Sequence, residues 1–414
     1  MMVPKQETRT SYPAHDRICG SRLTLARLRP HFSALGITRL GELTGLDNLG
    51  LPIAFATRPN SLSLSVSLGK GADLDSALVS AAMEAAETAI AEVPPKGLVE
   101  LSAREARNKG FHVVDLDRIA RCHPHRLNEN DKISWIEALN LISGKRFLVP
   151  WSLVGLDHRL SPPNFNNAFY VTSDGLASGN SRGEAIFHGI CELIERDALA
   201  SWQFAGDDEI RRSQLTITGD EDPRLPVILE AISASNSSLR VYEMRTDTGI
   251  PCVMAILGAT SRQSAAATSA TCGGCACHPS FGHAIVKAVT EAAQARLALV
   301  AGARDDFSSK HYEPADAIRL PAADNANRPS LPNMARTASR RSGYGTHDID
   351  LSITDVAAAL ARVGVDQLFV VELPAQQFGI SAVRVIATEL QVPLHGDRVQ
   401  VTPRGLRNLK AAAA

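Results

Sequence analysis

Residues Ser178 to Arg196, SGNSRGEAIFHGICELIER, constrain the fold more than any other stretch of this chain. A Ser-Gly-Asn-Ser run offers a helix cap, and Glu184, His188, Glu192 and Glu195 then follow at steps of four, four and three residues. On a helix these four fall within about 80° around the axis. Ala, Ile, Phe and Leu fill most of the remaining positions, so the helix is expected to be buried. Three carboxylates on a buried stripe demand a cation, since an unpaired charge in a dry interior is too costly to keep. Ser80, Glu84 and Glu87 in SAAMEAAE repeat the pattern within about 60°. Two acidic helix faces point to a shared divalent metal. Carboxylate oxygens favour hard ions, and Mg²⁺ with a nucleotide phosphate in its shell is the natural reading. The plainer alternative for either segment alone is a helix-forming run whose glutamates face water.

The phosphate side of that reading has no standard cradle. No G-x-x-x-x-G-K-[ST] occurs, Gly69-Lys70-Gly71 is followed by Ala-Asp and reads as a tight turn, and no G-x-G-x-x-G marks a Rossmann site. A nucleotide would therefore be held by carboxylates gripping Mg²⁺, with Arg and Lys offsetting the remaining charge.

With 414 residues and 44% hydrophobic content the chain is long enough for a large core and, by length alone, for two or three domains. Forty-three basic against 44 acidic residues leave a net charge of −1, no footprint for nucleic acid or an anionic membrane. No apolar run spans a bilayer and MMVPKQETRTSYPAHDR has no signal core, so a cytoplasmic location is expected. Seven cysteines do not make a disulfide framework. Cys272, Cys275 and Cys277, with His278, are too crowded for a standard zinc pattern, although they offer soft ligands.

The pattern along the chain is α+β, with mixed sheets and packed helices. Residues 1–34 are basic and irregular with one short helix in SRLTLARLRPHF; residues 35–395 read as one catalytic unit and 396–414 as a tail. Period-two segments at SLSLSVSLGKG, ISWIEALNL, RFLVPWSLV, LRVYEMR, PCVMAILGA and LFVVEL predict strands. A helix from Leu74 to about Val93 is stopped by Pro94-Pro95, and TDVAAALARVG predicts another. The Ser/Ala/Asn/Arg/Pro-rich stretch from about Asp316 to Gly345 reads as an irregular connection.

Three segments, SLGKGADLDSALVSAAMEAAE (67–87), TSDGLASGNSRGEAIFHGICELIERDALASW (172–202) and HPSFGHAIVKAVTEAAQARLALVAGARDD (278–306), resemble in order and spacing the conserved blocks of the YcaO family, and GISAVRVIATEL (379–390) fits downstream. The resemblance implies a YcaO-type fold with an ATP site between helices bearing acidic faces. It implies ATP and Mg²⁺ as cofactors, used to activate a peptide backbone amide. Residue by residue it implies Glu84, Glu87, Glu192 and Glu195 as Mg²⁺ ligands, and Ser80, Asn180, Glu184, Arg196, Glu291, Gln294 and Arg296 as nucleotide contacts. Lys287 lies on the face of Glu291, and Arg304 also matches. For Arg296 and Arg304 a helix-end ion pair is an equal alternative, and for His188 a hydrogen bond to its neighbours outweighs metal contact.

Two departures refine the resemblance. Glu87-Thr88 stands where many relatives have Glu-Arg, a feature of the branch that works beside a TfuA-type partner, and VTPRGLRNLKAAAA lacks the Pro-rich tail of azoline-forming members. Thioamide formation on a peptide or protein substrate with such a partner is therefore expected, ahead of azoline cyclodehydration. Relatives are often dimers, so a homodimer is expected. No residue stands out as the catalytic base. Two other classes stay open: a metal-dependent hydrolase without nucleotide, and a catalytically silent accessory protein of the kind linked to ribosomal-protein methylthiolation.

Overall fold

The computed structural model of the chain describes residues 17–123, 126–259, 271–302, 304–308, 336–337, 349–393 and 401–407. Helix α1 (Ser21–Leu28) leads into strands β1 (Arg39–Glu42), β2 (Ile53–Thr57) and β3 (Val66–Lys70) and helix α2 (Leu74–Ala91). Next come β4 (Val99–Ser102), α3 (Ala103–Asn108), β5 (Lys132–Asn140), β6 (Arg146–Pro150), β7 (Leu176–Gly179), α4 (Arg182–Trp202) and α5 (Asp207–Arg212). They are followed by β8 (Gln214–Thr216), α6 (Leu225–Ala234), β9 (Ser237–Met244), β10 (Cys252–Ala259), β11 (Cys272–Cys277) and α7 (Phe281–Ala301). The last elements are β12 (Arg336–Thr337), α8 (Ile349–Arg362), β13 (Leu368–Leu373) and β14 (Ser381–Ala387).

The strands form three sheets, ordered β1-β2-β3, β4-β5-β13-β14-β7 with β6 also on β5, and β11-β10-β9-β8-β12. Pairing is antiparallel except between β8 and β12. The expected α+β class is what the chain adopts. The Ser/Ala/Asn-rich stretch lies outside the described residues except for β12.

One local unit recurs three times and places the site. In β3–α2, β7–α4 and β11–α7 a strand ends, a capping side chain turns the chain, and the helix folds back along the strand. The caps are Asp73, Ser181 and Ser280, which accept from the backbone N–H of Ser76, Glu184 and His283. Close approach comes from small residues. A Cβ on Gly69 would lie 2.2 Å from Ala77 O and Ala81 N, and one on Gly274 would lie 2.3 Å from Ala292 N, so only glycine lets either helix sit this near its strand. The facing Ala77, Ala81, Ala288 and Ala292 are fully buried. Alanine there satisfies packing as well as helix propensity.

Helix α4 is the central element. It packs on β7 and β14 on one side and reaches β10 and β11 of the neighbouring sheet. Strand β14 is buried on both faces: Val383 and Val385 join the core around α4, whereas Ala382 and Ile386 join the core beneath α2. Helix α1 seals the α2 side with buried Leu25 and Leu28.

Candidate active site

Because the three helices grow from three strand ends, their acidic faces share one space. Burial is the largest influence on every raised carboxyl there, and neighbouring carboxylates add to it. Glu192 rises to about 8 with help from Asp174 and Glu195. Glu87 is held well above the usual carboxylate range by burial, Glu192 and Glu84. Glu195 is raised by burial and by Glu291, against the pull of Arg196 and Lys287. Glu84 rises to about 7 through desolvation among its neighbours and through Glu291, despite Lys70 and Arg304, although part of its side chain remains exposed. These mutual influences bring the four residues implied as Mg²⁺ ligands together with Glu291.

The cations are too few at close range to neutralise that set. Lys70 Nζ donates to Glu291 Oε2 at 2.5 Å. Burial opposes the charge on both partners, yet each holds the other ionised, Lys70 above and Glu291 below its ordinary value. Arg196 is shared: its guanidinium lies 3.3 Å from Asp174, 3.6 Å from Glu195 and 3.7 Å from Glu192. Among the described residues no Lys or Arg forms an ion pair with Glu84 or Glu87. Carboxylates crowded beyond their local cations suit a hard divalent ion, which needs several oxygen ligands and offsets their repulsion.

The remaining candidates divide. Ser80 lies one helical turn before Glu84, and half-buried Gln294 lies one turn beyond Glu291. Arg304 pairs with Asp306 at 2.6 Å and lies near enough to Glu84 to lower its carboxyl. His188 is half-buried on α4. Arg296 points elsewhere: its side chain is buried 3.2 Å from Asp47 and donates at 2.9 Å to Ser237 Oγ and Asn48 Oδ1. It sits five residues after Glu291, which rotates it about 140° away around the helix. The ion-pair alternative is therefore the one its geometry supports. Glu184 is also engaged by protein groups, accepting from the backbone N–H of Ile18 and from Asn180.

Sequence reasoning missed several participants. Lys70, read as part of a turn, ends β3 and reaches across to α7. Asp174, two residues before β7, anchors Arg196. Arg384 of β14 is fully buried, donates to Val154 O and Asp174 O, and is depressed to about 9 by burial and by nearby Arg121. Its position in VRVIATEL, inside a run of apolar residues, was the available clue. The cysteine cluster does not converge on one ion: Cys275 and Cys277 join the core around α4, whereas Cys272 is influenced by Arg296 and Asp47. Of the three, Cys275 is the one with a hydrogen bond to the acidic set, its Sγ donating to Glu195 Oε1 at 3.2 Å. One ligand atom each from Glu195, Cys275 and Glu291 lies within 4.8 Å of the other two.

Fold and site together define an α+β protein whose three capped helices converge on a carboxylate-rich set. The family model described as YcaO cyclodehydratase, ATP- and Mg²⁺-binding, matches residues 68–391, and the chain belongs to the YcaO family. ATP and Mg²⁺ are the cofactors of that family. A Rhizobium leguminosarum bv. trifolii protein described as lying in the tfuA 3′ region is 40% identical over 408 residues, covering 96% of this chain and 94% of its own. The structure of YcaO from Methanopyrus kandleri bound with AMPPCP and Mg²⁺ superposes with a TM-score of 0.66 at 18% identity, over 92% of this chain and 94% of that one. A heterocyclase in complex with substrate and cofactor gives a TM-score of 0.72 at 18% identity over 98% of this chain; this chain spans 57% of that protein. Among the described residues no helix is long and apolar enough to cross a membrane.

Proposed function

We propose that this protein uses MgATP to activate a backbone amide of a peptide or protein, and that the product is a thioamide formed with a TfuA-type partner protein. The observation that carries the first part is the convergence of Glu84, Glu87, Glu192, Glu195 and Glu291 around, among the described residues, two closely paired cations, Lys70 and Arg196. Support for the second is the tfuA-adjacent description of the 40% identical relative, together with Glu87-Thr88 in the first block. Azoline formation by an adjacent Cys, Ser or Thr of the substrate is the secondary outcome.

In this reading Glu84, Glu87, Glu192 and Glu195 hold Mg²⁺, and Ser80, Asn180, Arg196, Glu291 and Gln294 line the nucleotide site. When bound, MgATP supplies the phosphoryl group that converts the amide oxygen into a leaving group after a sulfur nucleophile has added to the carbonyl. Arg196, held by Asp174, Glu192 and Glu195, keeps a fixed positive charge beside the carboxylates. Lys70, with Lys287 and Arg304 near the set, offsets charge on the phosphate side. The paired arrangement of these groups before ligand arrives limits the reorganisation required during transfer. Helix α1, from the stretch read as an N-terminal extension, packs on α2.

The test is calorimetry of MgATP binding to the wild-type chain and to Glu192→Ala. Saturable Mg²⁺-dependent binding that disappears in a folded Glu192→Ala supports the reading. Wild-type protein that binds no nucleotide, alone or with its partner, or a variant that binds as well as wild type, overturns it.

A further inference from the structure

The three strand–helix units match in register as well as in shape. Glu84, Glu192 and Glu291 each stand ten residues beyond the first residue of their helix, which is Leu74, Arg182 and Phe281 in turn. Three residues further along stand Glu87, Glu195 and Gln294. The units also close on one another. Strands β3, β7 and β11 each end the order of their sheet, and each is packed by the helix of another unit: β7 by α2, β11 by α4 and β3 by α7.

At each junction a strand side chain meets a glutamate of the helix that packs on it. Ser178 of β7 hydrogen-bonds to Glu87 of α2, and Cys275 of β11 donates to Glu195 of α4 at 3.2 Å. Both strand groups are neutral, and both helices carry acids at both matched positions. The third junction differs in two ways at once. Its strand residue is Lys70, whose Nζ donates to Glu291 of α7 at 2.5 Å, and the amide of Gln294 stands where the other helices have a second acid. Against the cost of burial, the charge of Lys70 is supported by Glu291, Glu195 and Glu84, one carboxylate from each of the three helices. Oxygen ligands gathered from several elements are the surroundings of a bound cation. The exchange also balances in charge: a pair of carboxylates is matched by a divalent ion, whereas one carboxylate beside an amide is matched by an ammonium.

Resting on the nucleotide reading above, we propose that Lys70 is a built-in cation, whose ammonium fills at the β3–α7 junction the position that a divalent ion takes when the helix has two acids and the strand residue is neutral. Its charge stays beside Glu291 whether or not Mg²⁺ is bound, so the site needs one divalent ion fewer than its threefold plan allows. Gln294 keeps the nucleotide contact that the resemblance implies. The sequence hides this role, because Lys70 and Glu291 are 221 positions apart.

The experiment counts ions on the full chain. Equilibrium dialysis against Mn²⁺ and AMPPCP, followed by metal analysis, gives the Mn²⁺ bound per chain, with scanning fluorimetry to confirm folding. The double variant Lys70→Ser with Gln294→Glu gives the third junction the composition of the other two, and it is expected to bind one Mn²⁺ more than wild type. Gln294→Glu alone and Lys70→Arg are expected to bind the wild-type number, because a fixed cation is still in place. A folded double variant with the wild-type count, or Gln294→Glu alone with an extra ion, overturns the proposal while leaving the nucleotide reading intact. Lys70→Ser alone gives a second measurement that does not depend on the double variant folding. Its AMPPCP affinity should be about tenfold below wild type at low Mn²⁺ and within about twofold of it at saturating Mn²⁺, because an added ion replaces the ammonium. A deficit that persists at saturating Mn²⁺ also overturns the proposal. Wild-type protein that binds neither Mn²⁺ nor AMPPCP overturns both readings.

Discussion

Two kinds of charge sit on or beside the three central helices, and their difference separates the site from its scaffold. On the cleft side are Glu84 and Glu87 of α2, Glu192 and Glu195 of α4 and Glu291 of α7. Elsewhere are Glu92 just beyond α2, Asp197 of α4 and Arg296 of α7. Glu92 accepts from Arg58 Nη2 at 2.5 Å and also from Ser61 and Ser63. Asp197 accepts from Arg404 at 2.6 Å and from the backbone N–H of Gln391 at 2.8 Å. Arg296 is held by Asp47, Asn48 and Ser237. Glu195 and Asp197 are two residues apart on one helix and both buried; Arg404 serves Asp197 and Asp247, whereas Arg196 is spread over Glu195, Glu192 and Asp174 at longer range. Burial alone does not mark function. What distinguishes the cleft is carboxylates left short of dedicated partners.

The sharpest way to break this comparison is to truncate one acid of each kind. Glu195→Ala is expected to lower MgATP turnover at least about a hundredfold while the thermal midpoint holds or rises, since a member of a repelling set is removed. Asp197→Ala leaves Arg404, whose side chain is 1% exposed, with Asp247 as its remaining carboxylate, and should cost about 3 kcal/mol. Denaturant titration and steady-state ATPase assays distinguish the two outcomes. Equal destabilisation by both would show that cleft and scaffold acids are held alike.

Lys70→Met is expected to have an intermediate effect, a loss of about tenfold to a hundredfold in MgATP affinity, because Glu291 then faces Glu195 and Glu84 without its direct partner. Restoration by a second substitution, Glu291→Gln, would identify charge balance as the cause.

Glu192 and Glu92 should also answer pH with opposite sign. Glu192, at about 8 against an ordinary 4.5, binds its proton more tightly in the folded chain. Its contribution is complete below the unfolded value and is lost as pH rises through about 8. Glu87 shifts in the same direction. Metal-free protein should therefore lose several degrees in thermal midpoint between about pH 5.5 and 8.5, and saturating Mg²⁺ should remove most of that slope by selecting the ionised carboxylates. Glu92 is held below its ordinary value by Arg58, Ser61 and Ser63 despite burial, so its contribution is present above the unfolded value and lost as pH falls through the folded one. Scanning fluorimetry of wild type and of Glu92→Gln across pH, with and without Mg²⁺, tests both signs.

The smallest expected effect is that of Cys275→Ala. Its thiol donates to Glu195, and burial pushes that thiol well above its ordinary value, so Mg²⁺ and MgATP affinity should change less than about threefold. Inhibition by Cd²⁺ should weaken more, since the thiolate is the soft ligand at this position.

Much of this was legible in the chain because it is local. Helical spacing alone put Glu192 and Glu195 on one face, the Ser-Gly-Asn-Ser run marked the start of α4, and period-two patterns located β5, β9 and β13. What escaped was the pairing of distant charges. Arg296 and Glu291 sit on the same helix and were assigned to the same ligand, but five residues of rotation send one to the cleft and the other to Asp47. Lys70 looked like a turn residue because its partner is 221 positions away. Arg384 interrupts an apolar strand, yet its burial between the β7 end and α2 depends on three segments meeting there.

By itself, then, the sequence determined the secondary structure of the three acidic blocks and the identity of their carboxylates, since periodicity and capping act over single turns of chain. Only the tertiary structure decided which charges meet. Strand glycines set how closely α2 and α7 approach their sheets; among the described residues Glu84 and Glu87 form no ion pair, whereas Glu92, Asp197 and Arg296 do. Charge pairing acts over a few ångströms in space, a distance that separation along the chain does not encode.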